Sequence, residues 1–445
     1  MSIATRTHVR RPRLLASALA VLTTLATTVA LTGQGHAAAP PPPPRVGLVC
    51  TPGTGSDATH PIYNLTTKTG YISLPDGNTA FMWGYSSGFD AFQHPGPVLC
   101  VNEGDTVTVI LHNTLPVAAS IDFPGQHGVT ADGLPARPVR NASGRITSLT
   151  DTAAATDGTV TYSFNADHPG TFIYESGTDP ETQVRMGLFG ALIVRPASGP
   201  DHAYNESTAS PNRNRYTPGE EFLVLLSEID PYQHRAVEQG KNFNINNYKP
   251  RYWLINGRGF PDSIADNGAS WLPSQPYGAL AQIHEWNTTT HPYPGLARYI
   301  NVGSEDYPFH PHGNNGLVVG RDGQPLASGS GDDLSMEKFS INIGPGQTWD
   351  VLFKWYDAED YSAANPVPVE VPNLANSVIG TFYAGSPYLG TKNALPTGTA
   401  SLNQCGEYYV IAHNHALYQI TSWGATMTGP ITYMRIDPPE PNNCG

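Results

Sequence analysis

The chain has 445 residues and sets 24 Lys plus Arg against 37 Asp plus Glu, a formal charge of −13. Only 14% of residues are charged, 39% are hydrophobic, and 45 Gly and 41 Pro make up about a fifth of the chain, which excludes a disordered polyelectrolyte and a coiled-coil protein. The acidic balance argues against a nucleic-acid partner, because phosphate binding needs clustered Lys and Arg. Residues 1–39 read as a secretory signal: Arg6, Arg10, Arg11 and Arg13, an apolar run from Leu14 to Leu31, then small residues at Ala37–Ala39. The run is nearly long enough to span a bilayer. Its Ala and Thr content and the small residues after it point to cleavage instead, so no membrane span is expected in the mature chain. Arg10-Arg11 leaves both general and twin-arginine export open. The expected destination is outside the cytoplasm: secreted, periplasmic or in the cell envelope.

Residues 40–44 form a stiff polyproline spacer. Four cysteines, Cys50, Cys100, Cys405 and Cys444, lie in the mature part. An even count in an exported chain favours disulfides. Three pairings are open, of which Cys50–Cys100 with Cys405–Cys444 is the most local, and the spacing matches no zinc motif. From Asn102 the sequence NEGDTVTVILHN alternates Val107, Val109 and Leu111 with Thr106, Thr108 and Ile110, the period of a strand. Further strands are expected within 159–177 and 186–196, which completes a first β domain over 45–198. A polar stretch at 199–220 reads as a linker. A second series runs through 221–230, 252–263, 297–303, 339–355 and 407–420, giving a second β domain over 221–440. Residues 357–404, rich in Pro, Ala and Gly, read as an insertion loop within it. Short strands separated by Gly, Pro and Asn turns indicate an all-β chain of sandwiches or barrels.

The chemistry concentrates in two His-x-His pairs, His310/His312 and His413/His415. Residues i and i+2 of a strand face the same way, so each pair can present two imidazoles to one point. Two such pairs on neighbouring strands would close a four-nitrogen site suited to copper, zinc, iron or nickel. Pro311 weakens the case for a regular central strand there.

The ordered motifs GDTVTVILHNTL, GTFIYES, GLFGALIV, LINGRGFPD, YPFHPHG, DGQPL, GPGQTWDVLF and HNHALYQITSWGATM, from about Pro97 to Ile436, resemble the multicopper oxidase family. That resemblance implies two cupredoxin-like (plastocyanin-like) Greek-key β domains. It also implies copper as cofactor, with His310, His312, His413 and His415 matching type 2 and type 3 ligands. The departures are as informative. The family's first-domain His-x-His stands here as Asp122 and Pro124, and its second pair as Glu175 and Gly177. The type 1 positions hold Tyr307, Asn414 and Gln419, so no thiolate and no imidazole remains for a blue site. Asp122 and Glu175 are candidate additional ligands, and their oxygens would suit manganese or iron. His94, His112, His127 and His168 fall at no ligand position of the family and read as surface or core histidines.

In two-domain members of the family the first-domain and last-domain ligands meet between subunits, usually in a homotrimer. The resemblance therefore implies that Asp122 and Glu175 face the four histidines of a neighbour. Two functions remain open on the sequence. One is a copper-dependent oxidoreductase acting on a small molecule or metal ion without a type 1 site. The other is a cell-envelope scaffold or binding protein that kept the fold and lost the copper centres.

Overall fold

The computed structural model describes residues 43–55, 57–356, 408–424 and 427–437. The signal segment, the insertion at 357–404, Cys405 and Cys444 lie outside them. Two sandwiches carry the chain. In the first, a six-stranded sheet runs in the order Thr79–Ser87, Ile62–Ser73, Thr106–Asn113, Gly158–Asn165, Thr130–Ala131, Leu134–Pro135. It packs on a three-stranded sheet of Gly170–Glu175, Phe189–Arg195 and Leu99–Asn102. The alternation in Thr106–Asn113 is the reason this face forms. Val107, Val109 and Leu111 are fully buried and the intervening side chains are only partly covered. Tyr85, Phe123, Tyr162, Phe172 and Tyr174 complete the core, each contributing on the order of 1.5–3 kcal/mol through burial. Cys50 and Cys100 are joined by a disulfide.

The strands expected within 159–177 are present, but they belong to different sheets. Gly158–Asn165 pairs with Thr106–Asn113, and Gly170–Glu175 pairs with Phe189–Arg195. The chain crosses between them at a corner held by hydrogen bonds from Ala166 N to Asp105 O and from Gly104 N to Ala166 O. Gly170, at φ +150°, closes the corner where a Cβ would come within 2.8 Å of Gly323 Cα in the second sandwich. Only glycine allows that approach.

In the second sandwich one sheet runs Tyr252–Ile255, Glu221–Ile229, Gly295–Asn301, Thr348–Phe353, Gly316–Arg321, Gln324–Pro325, with Met336–Lys338 beside Gly316–Arg321. The facing sheet runs Ala281–His284, Ile431–Asp437, Tyr408–Asn414, Tyr307–Pro311, Ile341–Ile343. The segment at 199–220 is not a loose tether: Tyr204 and Tyr216 are buried against Leu296, Val319 and Leu352.

The two sandwiches share an apolar seam in which Ile173, Phe189, Ala191 and Ile193 meet Leu223, Leu225, Ile300 and Val302. Beside it lies an ionic lock. Arg298, fully buried, binds Glu221 at 2.6 Å and Asp350 at 3.2 Å, and donates to Thr171 Oγ1 of the first sandwich at 2.9 Å. Arg195 of the first sandwich reaches the other oxygen of Glu221 at 2.8 Å. Removing one member would strand a buried charge at a cost of about 3–5 kcal/mol, so the sandwiches are held in one relative placement.

Candidate metal centre

The antiparallel pairing of Tyr307–Pro311 with Tyr408–Asn414 sets His310 directly opposite His413. Each strand ends one residue later, and His312 and His415 follow in the bends just beyond. His312 N still donates to Ile411 O at 2.9 Å and His415 N to Pro308 O at 2.7 Å. Pro311 is tolerated because it is the last residue of its strand. The four rings converge. Ring centroids of His310 lie 4.8, 5.7 and 5.5 Å from those of His312, His413 and His415, and His312 lies 5.2 Å from His413.

Two of the rings are oriented by the backbone: the Nδ1 of His310 bonds to Phe339 O, and that of His413 to Asn414 O. For His413 this leaves the Nε2 turned toward His312, the arrangement by which outer partners fix a ligating imidazole. The Nε2 atoms of His312 and His413 approach to 3.1 Å. Burial, and then the neighbouring imidazoles, push the pKa of His312 below the ordinary histidine value. Burial likewise lowers His413, reinforced by His310 and His415 and opposed by the Asn414 carbonyl. Neutral imidazoles are the form that binds metal. The donor set fits a soft-to-borderline transition ion.

The three positions that the resemblance aligns with type 1 ligands are built differently. Tyr307, Asn414 and Gln419 are all fully buried. Tyr307 OH donates to Glu228 Oε2 at 2.7 Å, and Glu228 also accepts from Ser304 N and from Tyr248 OH. Asn414 Nδ2 donates to Gln419 Oε1. Gln419 Nε2 donates in turn to Glu305 Oε2 at 2.7 Å, which accepts from Trp253 Nε1 at 3.0 Å as well. Burial pushes the Glu228 carboxyl up, against these hydrogen bonds. Where the resemblance would put a thiolate and two imidazoles, the structure has a hydrogen-bonded network anchored on two carboxylates. It does not fit a blue copper ion. Glu228 and Glu305 carry no motif, and sequence reasoning missed them.

Asp122 and Glu175 lie in the first sandwich as backbone partners: Asp122 N donates to Glu175 O at 2.6 Å, and Glu175 N to Asp122 O at 3.1 Å. The structure brings these two together with each other, and the four histidines together in the second sandwich. Burial, and then the charge of Asp122, push Glu175 up to about 7. Burial raises Asp122 as well. At Gly177 a Cβ would lie 3.3 Å from Leu149 and 3.4 Å from Ser120 and Thr150. Leu149, Ser120 and Thr150 thus crowd the backbone at Gly177, where the resemblance would put a histidine.

Of the remaining histidines, His94 is buried in the core against Phe189. His127 and His168 gather on exposed Asp167. His112 lies beside Thr159 on a strand. A further group was not anticipated. Glu220, buried, accepts from His284 Nδ1 at 2.8 Å and His291 Nε2 at 3.0 Å through one oxygen. Burial raises its carboxyl, but the bonds from both histidines outweigh that and hold it below the ordinary value.

Comparison with known proteins agrees with this reading of the fold. Residues 67–199 match the family model described as multicopper oxidase. The chain is 30% identical over 241 residues to a probable nitrite reductase-hydroxylamine oxidoreductase fusion protein of Kuenenia stuttgartiensis, covering 53% of this chain and 22% of that protein. It is 30% identical over 199 residues to L-ascorbate oxidase of Cucurbita maxima, covering 43% and 29%. The chain therefore spans less than a third of these relatives. Among solved structures, the blue copper oxidase from Nitrosomonas europaea superposes with a TM-score of 0.55 at 18% identity, over 84% of this chain and 85% of that one.

Proposed function

From a chain that carries a multicopper oxidase domain at residues 67–199 and the cupredoxin fold, we propose an exported copper-binding oxidoreductase that works without a type 1 site. The observation that carries the proposal is the convergence of His310, His312, His413 and His415 across one strand pair, with two rings held by backbone carbonyls. Copper bound there would supply one-electron redox chemistry. The chain's own residues disfavour the charged form of His312 and His413, and leave the face partly open, since His415 is exposed and the other three only half-buried. A substrate, a small molecule or a metal ion, would have to deliver its electrons at this face directly. The usual entry point has become the Glu228–Tyr307 and Asn414–Gln419–Glu305 network.

A second reading, a cell-envelope scaffold that kept the fold and lost catalysis, is favoured by that same network and by the loss of all four first-domain histidines. Metal analysis of the mature protein separates the two. The oxidoreductase reading expects at least one copper per subunit, no blue colour, and copper affinity at least tenfold weaker in His312→Ala and His413→Ala. It also expects oxygen uptake with small reductants or reduced metal ions that both variants lose. Copper content unchanged by these variants, or copper bound without any turnover, would leave the scaffold.

A further inference from the structure

We infer that Glu220, His284 and His291 form a second metal site, for a divalent first-row ion such as zinc, separate from the four-histidine cluster. Glu220 stands at the mouth of the Glu221–Ile229 strand. His284 ends the strand Ala281–His284, and His291 returns to it through a loop closed by the Asn287–His291 backbone pair. Both imidazoles point at the same carboxylate oxygen, Oε1 of Glu220, at 2.8 and 3.0 Å, with ring centroids 4.7 Å apart. Two ligands each about 2.1 Å from one zinc ion at the tetrahedral angle stand about 3.4 Å apart. The three donor atoms lie within 4.8 Å of one another, so an opening of a few tenths of an ångström between Oε1 and each nitrogen admits the ion.

Two imidazoles and one carboxylate are a donor set for zinc or iron(II) that leaves further positions for water. The burial fits that chemistry. The Glu220 side chain is 7% exposed, whereas those of His284 and His291 are 29% and 20% exposed, so the carboxylate is fixed and the opposite side is reachable by solvent. The backbone N–H of His284 also donates to Oε1 at 3.0 Å and would remain as an outer support of the carboxylate. On binding, the ion takes the place of the hydrogens now shared with Oε1, and each imidazole either shifts its remaining hydrogen to the far nitrogen or releases a proton to water.

The site is distinct from the first. In the strand Ile431–Asp437, Ile431 pairs with His413 and Asp437 pairs with His284. Six residues at about 3.3 Å each put the two sites about 20 Å apart along the sheet.

The test starts from the mature chain stripped with chelator and from a His310→Ala/His413→Ala variant, both titrated with zinc alone and desalted before elemental analysis. The variant is expected to keep one zinc per subunit. Adding His291→Ala or Glu220→Gln to it should weaken that zinc at least tenfold, read at a temperature where circular dichroism shows each metal-free variant folded, since His291→Ala also removes one donor to the buried Glu220 carboxylate. Cobalt in place of zinc should give a visible ligand-field spectrum that disappears with the same substitutions. A His310→Ala/His413→Ala protein that binds no zinc, or a zinc that survives both added substitutions, overturns the site.

Discussion

Tyr307 shows how one residue can decide what a family position does. Its hydroxyl is a donor to the buried Glu228 carboxylate, whereas the family histidine there would offer a ligand nitrogen. Tyr307→Phe keeps the ring and removes one of three donors to Glu228. The expected loss of stability is about 1–3 kcal/mol, the cost of under-satisfying a buried acceptor, with copper content unchanged. Chemical denaturation beside elemental analysis reads both, and a copper loss in this variant would tie the old type 1 position to the cluster. Glu175 gives a prediction with a sign. Its pKa rises from 4.5 to about 7, so the folded chain keeps a proton that the unfolded chain gives up. Stability from this residue is therefore intact below about pH 4.5, falls as pH rises to about 7, and stays lower above that. Glu175→Gln removes the deficit. In chelator it should stabilise the protein by about 1–3 kcal/mol near pH 8 and leave it unchanged near pH 4. A variant equally stabilised at both pH values would show that packing, not charge, is responsible.

At the scale of elements, the cluster depends on one strand pair. Phe309 and Ala412 point inward on the strands that carry His310 and His413, and Phe309 packs its ring 5.4 Å from Tyr299. Phe309→Ala is expected to cost about 3–5 kcal/mol and to weaken copper, because loosening the pairing lets the imidazole pairs drift. Denaturant unfolding and copper titration test it; a destabilised variant with undiminished copper affinity would mean that the histidines do not rely on this register. The two His-x-His pairs were legible in the sequence as spaced motifs, although His312 and His415 lie in bends just past their strands, and the alternation of Val107, Val109 and Leu111 was legible because i and i+2 share a strand face. The partners Glu228 and Glu305 were not, since they meet Tyr307 and Gln419 across 79 and 114 residues. His284 and His291 were equally silent: seven residues apart on a strand end and a loop, they follow no period, and only the fold delivers Glu220 to them. The corner between Gly158–Asn165 and Gly170–Glu175 was missed because two adjacent strand signals say nothing of which sheet each joins.

At the scale of the whole molecule, the cluster and the two carboxylates make an argument about assembly. Exposed Phe339 and Leu417 lie beside the half-open face, Phe339 edge-on to His310 and Leu417 two residues beyond His415. Such residues suit a covered surface. If a neighbour's first sandwich covers it head to tail, as the resemblance to two-domain multicopper oxidases implies, each site is built from two subunits and the ring closes by rotation. A subunit defective in His310 then still offers a sound first sandwich, and one defective in Asp122 and Glu175 still offers sound histidines. Co-assembling His310→Ala with the Asp122→Ala/Glu175→Ala chain at equal amounts should regenerate about a quarter of the wild-type interfaces. Copper binding would then return in the mixture although neither parent binds it normally. Sedimentation should show a trimer whose formation copper favours. Mixtures with no more copper than the sum of the parents, or a monomer that binds copper fully, would place the whole site within one chain and leave Asp122 and Glu175 as a titrating pair in a sandwich that has lost its metal.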